Sequence, residues 1–425
     1  MCKITQIILH MILPKKTILF LLIFLPQVLL AQNMLSGKII DNDSGKAVAG
    51  ANIYINNTTI GRMSNEEGFF SFDNIPLGTQ ELVITFVGYE TISYSFSSSQ
   101  LPLKLDFKLK QKTQELDEVK IGADYIVLDS RNPKNWQKFK DGFLGVTPYS
   151  DQCVIQNKED IELRYIKETR GMKAVAKRPI VILNKALGYI VEYDLQNFEL
   201  SSLGRSLVGK SFFRELNDKE LSDKKTKLRN ASYYGSMIHF LRSVYSNTIS
   251  TEGFEVRSIT RSKNTEKARV LKIIAQLDYA RKSEFIVNKN STALGDSSAY
   301  YKKIFNEPDN FETLSINLLN SDDFKTVNSS GNTIFKTKDT LLSVTFTKPI
   351  DADIYRSVKN NLYPNKFQDH RDKNIYEVNK SIVELKRKEV IINPKVNGIS
   401  KGLRLTGFFS SIYGISTLLP DDYEP

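Results

Sequence analysis

The chain has 425 residues, a mass of 48.4 kDa, 41% hydrophobic and 25% charged residues, and a formal net charge of +11. That length fits about two or three domains, and that apolar share excludes wholesale disorder. With two cysteines and three histidines, a multinuclear zinc site and a disulfide-stapled scaffold are excluded by supply alone.

In chain order, the first segment is MCKITQIILHMILPKKTILFLLIFLPQVLLAQN. Lys15 and Lys16 precede an apolar run from Ile18 to Leu30, broken at Pro26 and Gln27 and closed by Ala31-Gln32. This is the grammar of an export signal over residues 1–31, with cleavage expected after Ala31. The run is about 13 residues, whereas a spanning helix needs roughly 20. Removal takes Lys3, Lys15 and Lys16 with no acid and lowers the charge from +11 to +8; it also removes Cys2 and His10. The remaining thiol, Cys153, would meet an oxidising compartment, where an unpaired thiol persists when buried. No cysteine follows the run to carry a lipid. The expectation is an exported protein of the periplasm or outer-membrane face, with peripheral membrane attachment open to it. Lysines dispersed among acids, as in residues 217–225, read as a solvated face, so nucleic acid is not an expected partner.

Residues 34–110 alternate apolar and polar side chains with the period of two that half-buried strands require. Ala51, Ile53 and Ile55 alternate with Asn52, Tyr54 and Asn56; Leu82, Ile84 and Phe86 alternate with Val83, Thr85 and Val87; Leu103, Leu105, Phe107 and Leu109 share a face. Turn signals stand between the runs at Asp41-Asn42-Asp43-Ser44-Gly45, Glu66-Glu67-Gly68, Pro76-Leu77-Gly78 and Val87-Gly88-Tyr89. Such short strands pack as two sheets, a small sandwich. Asp41 and Asp43 fall short of the roughly six to eight oxygen donors of a calcium site, so they read as turn formers.

The string SGKIIDNDSGKAVAGANIYINNTTIGRMSNEEGFFSFDNIPLGTQELVITFVGYE resembles the carboxypeptidase-like regulatory domain, a transthyretin-like (prealbumin-like) β-sandwich found at the amino terminus of exported Bacteroidetes proteins. Gly37, Asp41, Gly45, Gly50-Ala51, Gly61, Asn65, Gly68, Phe70, Pro76, Gly78 and Gly88-Tyr89 carry the likeness; Val48 and Asn65 depart from it mildly. The resemblance implies a sandwich appended to other domains, with no metal ligands and no nucleophile.

A linker is expected over residues 111–130, with Leu116-Asp117-Glu118-Val119-Lys120-Ile121 as a short extended motif. A similar string follows this sandwich in TonB-dependent receptors, but the residues beyond it lack a receptor-sized series of membrane strands. Residues 131–425 read as a larger mixed, mostly β domain with one main helix. Helical spacing occupies residues 135–143. Strands are expected at 161–165, 172–176, 180–183, 187–198, 254–259, 268–274, 342–346, 376–385, 390–392 and 403–405, and long loops at 285–340. The main helix is expected at 230–245, with Tyr234, Met237, Ile238, Leu241 and Tyr245 as its buried stripe. NWQKFKDGFLG, LGYIVEYDLQNFEL, RNASYYGSMIHFLRS and LLPDDYEP resemble a secreted Bacteroidetes family that carries the same sandwich in front and has no established reaction.

Gly204-Arg205-Ser206-Leu207-Val208-Gly209-Lys210-Ser211 satisfies the phosphate-loop spacing. Its preceding strand is polar at alternate positions and a weak helical start follows it, so it reads as a chance match or surface turn, and Lys210→Ala is expected to be silent. No nucleotide is expected. His239 stands on a polar face with Arg229, Ser236 and Arg242, the candidate binding groove. With no G-x-S-x-G and no H-E-x-x-H, it is read as neither a triad base nor a zinc ligand. Asp369-His370-Arg371-Asp372 reads as a solvated loop and Cys153 as a buried thiol. No catalytic, cofactor or metal residues are assigned. The expected function is non-enzymatic binding or scaffolding in the cell envelope, the sandwich docking or orienting a second domain that binds protein, peptide or glycan. The alternatives are an envelope hydrolase of glycan or peptide and a structural component of an outer-membrane assembly.

Overall fold

The computed structural model describes residues 34–112, 125–202, 204–216, 223–288, 291–329, 332–336, 341–362, 378–387, 389–392 and 402–425. The export signal, the 116–121 motif and the loop holding His370 lie outside the described residues.

Seven strands make the first module: β1 (Leu35–Asp41), β2 (Asn52–Ile55), β3 (Gly61–Met63), β4 (Phe69–Phe72), β5 (Thr79–Thr85), β6 (Ile92–Ser97) and β7 (Leu103–Leu109). They form a sheet β4-β1-β7, in which β1 and β7 run parallel, and a sheet β3-β2-β5-β6. The alternation read from sequence sets the inner faces. Leu35, Ile39, Ile53, Ile55, Leu82, Ile84, Phe96 and Leu109 make one core between the sheets. Each such side chain contributes roughly 1.5–3 kcal/mol by leaving water, more than a typical hydrogen bond returns.

The second region begins earlier than expected. Residues assigned to the linker form β8 (Tyr125–Leu128), which pairs antiparallel with β10 (Ile161–Ile166). Between them lie α1 (Pro133–Leu144), capped by the Asn132 side chain and started by Pro133, and β9 (Cys153–Ile155). β11 (Gly171–Ala176), β12 (Ile180–Asn184), β13 (Tyr189–Ser201) and β14 (Gly204–Glu215) complete a seven-stranded sheet in the order β8-β10-β11-β13-β12-β9, with β14 on β13. After α2 (Asp223–Tyr233) and α3 (Met237–Ser246) come β15 (Phe254–Lys263), α4 (Thr265–Ala275), α5 (Tyr279–Val287), α6 (Ser298–Phe305) and β16 (Asn310–Leu314). The chain continues through β17 (Lys325–Val327), β18 (Thr333–Phe335), β19 (Leu341–Phe346), α7 (Ala352–Leu362), β20 (Lys380–Leu385), β21 (Val390–Ile391), β22 (Leu403–Gly407) and α8 (Phe408–Ile412). These give a five-stranded sheet β16-β15-β19-β20-β22 and a small sheet β17-β18-β21.

The protein is mainly β, as its patterning implies, but the helical share of the second region is larger than one main helix. The expected 230–245 helix is two. Gly235 takes φ +78°, a left-handed backbone that ends α2, and the Ser236 hydroxyl accepts from His239 N–H to start α3. Tyr234 is consequently exposed, while Phe240 and Val244 join Met237, Ile238 and Leu241 in the core. Phe240 packs against Phe254 of β15, Phe335 of β18 and Phe409 of α8. It belongs to one continuous core that runs from Phe139 to Leu419 and unites both large sheets. The expected strand at 268–274 is α4. Its Val-Leu-Lys-Ile-Ile run has β composition, yet Asn264 caps the segment by accepting from Lys267 N–H, and Val270 and Ile274 point to a separate core with Phe285 and Ile304. The expected 285–340 loops contain α6 and β16–β18.

Candidate functional site

The phosphate-loop spacing lies in a strand. Gly204 occupies the β13–β14 hairpin with φ +130°, and Gly209 passes so close to the Tyr193 ring that a Cβ would sit 2.4 Å from it. Lys210, Ser211, Phe212 and Phe213 are all buried. Alternation aims Phe213 into the main core, where its ring meets Tyr189, and aims Lys210 and Phe212 at the sandwich. Phe212 stacks on Tyr54 of β2 at 5.1 Å between centroids, with Val83 of β5 completing the cluster. Gly61 is required there, since a Cβ would lie 2.3 Å from the Phe212 ring.

Polar contacts close the junction. Lys210 Nζ lies 3.1 Å from Glu81 Oε1 and also donates to the Ser93 hydroxyl. Asn56 Nδ2 donates to the other Glu81 oxygen at 2.7 Å, and Asn56 Oδ1 accepts from Ser211 N–H. Asn57 N–H donates to Ser211 O at 2.7 Å and Phe213 N–H donates to Thr58 O at 3.0 Å, so the β2–β3 turn continues the edge of β14. The C-terminal segment locks the same turn. Asp421 N–H donates to Asn57 O, while Asp422 accepts from the Thr59 N–H and hydroxyl. A surface turn at Lys210 is therefore corrected to a buried strand.

The polar face of the helix pair leads to the same segment. Arg229 is buried over the Tyr189 ring at 3.9 Å, forks onto Glu215 and donates to Leu187 O. Ser236 is the cap of α3. His239 is buried; its Nδ1 accepts from Gly235 N–H, which leaves the neutral ring's proton on Nε2, 3.1 Å from Glu252 Oε2. Burial depresses its pKa below the usual 6.5 despite the upward pull of Glu252, with Lys348 and Arg242 pushing the same way as burial. Arg242 donates to the carbonyls of Asp421 and Tyr423 at 2.7 and 2.9 Å, although its Nε has no hydrogen-bond partner among the described residues. Tyr423 hydroxyl donates to Asn230. Among the described residues, Arg229 and His239 fasten the interior, Ser236 caps α3, and Arg242 holds the C-terminal segment. Sequence reading missed the junction, although Tyr54 and Val83, apolar residues on the outer faces of β2 and β5, were its signal.

The alternation of β1–β7, their two-sheet order and the glycine and turn positions all belong to one small domain class. Residues 35–121 match the family model of the CarboxypepD_reg-like domain. No curated protein matches the chain. Among solved structures, the chain is similar to a cohesin–X-dockerin complex from Acetivibrio cellulolyticus (20% identity, 18% of this chain and 51% of that one, TM-score 0.14). It is also similar to the TIE protein of Bacillus anthracis (8%, 44% and 31%, TM-score 0.16) and a DUF3823 family protein of Bacteroides ovatus (11%, 45% and 85%, TM-score 0.16). The chain spans about half the length of the first and about a third of the second.

Within the CarboxypepD_reg-like sandwich, Asp41 is a turn residue. It accepts from Ser44 N–H, the Ser44 hydroxyl and the Tyr89 hydroxyl, which hold its carboxyl down to about 2. Cys153 is buried, and burial pushes its thiol up to about 12, away from thiolate chemistry. Among the described residues no group of three or more His, Cys, Asp or Glu is placed to hold a metal, and no helix is long and apolar enough to cross a membrane.

Proposed function

We propose that the chain is a non-enzymatic binding or scaffold protein of the cell envelope, exported after cleavage behind Ala31, whose sandwich fixes the orientation of the larger region that engages protein, peptide or glycan. The observation that supports this most is the junction itself. A linker-borne sandwich needs no ion pair between buried Lys210 and half-buried Glu81, no Tyr54–Phe212 stack and no backbone bonding between the β2–β3 turn, β14 and the 421–423 segment. Burying a charge pair is costly unless its geometry is satisfied, so such a joint serves a fixed arrangement of two surfaces.

The test uses native material and purified protein together. Amino-terminal mass spectrometry of envelope fractions should show the chain starting at or near Gln32. Purified protein should bind a component of a panel of envelope glycans and peptides saturably and leave it chemically unchanged. Gly61→Leu, which wedges the junction apart, should weaken that binding. Catalytic turnover of any panel member, or binding indifferent to Gly61→Leu, would contradict the proposal.

A further inference from the structure

We propose that the helical lobe formed by α4, α5 and α6 is a docking surface for an anionic lipid bilayer. The lobe stands away from the rest of the molecule. β15 pairs with β19 through residues 254–259 and with β16 through residues 259–263; among the described residues β16 is the one strand paired with 260–263, and residues 260–263 and 310–314 are exposed throughout. This β15–β16 ribbon carries the three helices, whose core of Val270, Ile274, Phe285 and Ile304 is separate from the main one. Its orientation is fixed at the base. Buried Asn264 caps α4 and donates to Pro308 O and Glu307, and Lys267 pairs with Asp309 at 2.8 Å.

The lobe turns apolar side chains to solvent. In α5 only Phe285 is buried. Tyr279 and Val287 are 89% and 80% exposed, and Ile286 is 48% exposed. Tyr279, Lys282 and Ile286 follow the i, i+3, i+7 spacing of one helical face, with Val287 on its shoulder. Lys302 donates to the carbonyls of Phe285 and Ile286 at the end of that helix, adding a cation beside the apolar pair.

Charge chooses the occupant. Residues 264–305 hold eight Lys and Arg against four Asp and Glu, a net +4, whereas residues 34–110 hold six against eight, a net −2. Tyr with aliphatic side chains among lysines and arginines is the composition that seats a helix at the headgroup boundary, the rings and branches entering and the cations meeting lipid phosphates. Each cation near an anionic leaflet adds to the attraction within a Debye length. The sandwich, with the opposite sign, would be held off the same surface.

Co-sedimentation of the purified protein with vesicles tests this. Phosphatidylcholine vesicles containing phosphatidylglycerol should bind the protein, pure phosphatidylcholine vesicles should bind it weakly, and raised salt should release it. Two double variants, Arg281→Glu with Lys282→Glu and Tyr279→Ser with Val287→Ser, should each lower vesicle partition by about tenfold or more, with unchanged melting temperature. Equal partition to both vesicle types, or no partition to either, would overturn the proposal. So would self-association by light scattering that the Tyr279→Ser, Val287→Ser variant abolishes, because the face would then belong to a second copy. The lobe's core is separate from the junction cluster of Tyr54, Val83 and Phe212, so failure here leaves the proposed scaffold role standing, and Gly61→Leu tests that role separately.

Discussion

Phe240 and Phe285 are both fully buried phenylalanines, yet they sit in very different surroundings. Phe240 touches rings from β15, β18 and α8 inside a core that joins both large sheets, whereas Phe285 packs in a four-residue cluster at the end of an exposed ribbon. Burial of a side chain thus states what it costs to uncover it, while the extent of the surrounding core states how much of the protein must open with it. One end of the molecule is knitted into a continuous body through β14; the other is a small lobe whose separate core is expected to open alone.

The largest effect should come from Phe240→Ala, which removes a ring from the shared core and should destabilise the whole protein by about 3–5 kcal/mol in urea titrations. Phe285→Ala sharpens the contrast. It should leave the main unfolding transition in place and raise deuterium uptake only across residues 264–309; a global loss equal to that of Phe240→Ala would erase the distinction. Next, Lys210→Ala removes the cation from half-buried Glu81, which keeps the Asn56 amide, and should cost about 1–3 kcal/mol, below the range for a fully buried pair. Preserved stability in that variant would mean the sandwich is not tightly docked.

A smaller, pH-dependent effect follows from His239. Its folded pKa lies below 6.5, so the unfolded chain binds its proton more readily; the stability it contributes is present above that value and is lost as pH falls through the depressed folded pKa. Urea midpoints should drop between about pH 7.5 and about pH 5, and His239→Gln should flatten part of that slope. The smallest effect belongs to Tyr279→Ser, which should stay within about 0.5 kcal/mol of the wild type because the ring is exposed.

The sandwich was legible because half-buried strands declare their inner face: Ile53, Ile55, Leu82 and Ile84 alternate with polar neighbours and pack as the pattern requires. Tyr54 and Val83 broke that pattern on the outer face, and their apolarity marked a docking surface whose partner, Phe212, lies some 130 to 160 residues away in sequence, beyond any local rule. The G-x-x-x-x-G-K-S spacing misled for a related reason. A hairpin glycine, a glycine under Tyr193 and a lysine facing Glu81 meet the expression while serving three separate packing needs. The split of α2 from α3 turned on the single residue Gly235, and α4 hid behind β-branched residues whose helical partners come from α5 and α6. The polar face with Arg229, Ser236, His239 and Arg242 was visible as spacing, but its occupant, the 421–423 segment, was fixed by tertiary placement.

Hydrogen exchange across the junction tests the central claim most directly. The amides of Asn57, Ser211, Phe213 and Asp421 donate to carbonyl or amide oxygens across the junction, so peptides spanning 56–59, 210–214 and 420–425 should exchange as slowly as the strand interiors Ile53 to Ile55 and Ile190 to Tyr193. Rapid exchange of 56–59 and 420–425 at the rates of open loops, with those strand interiors still protected, would show a loosely tethered sandwich and contradict the account.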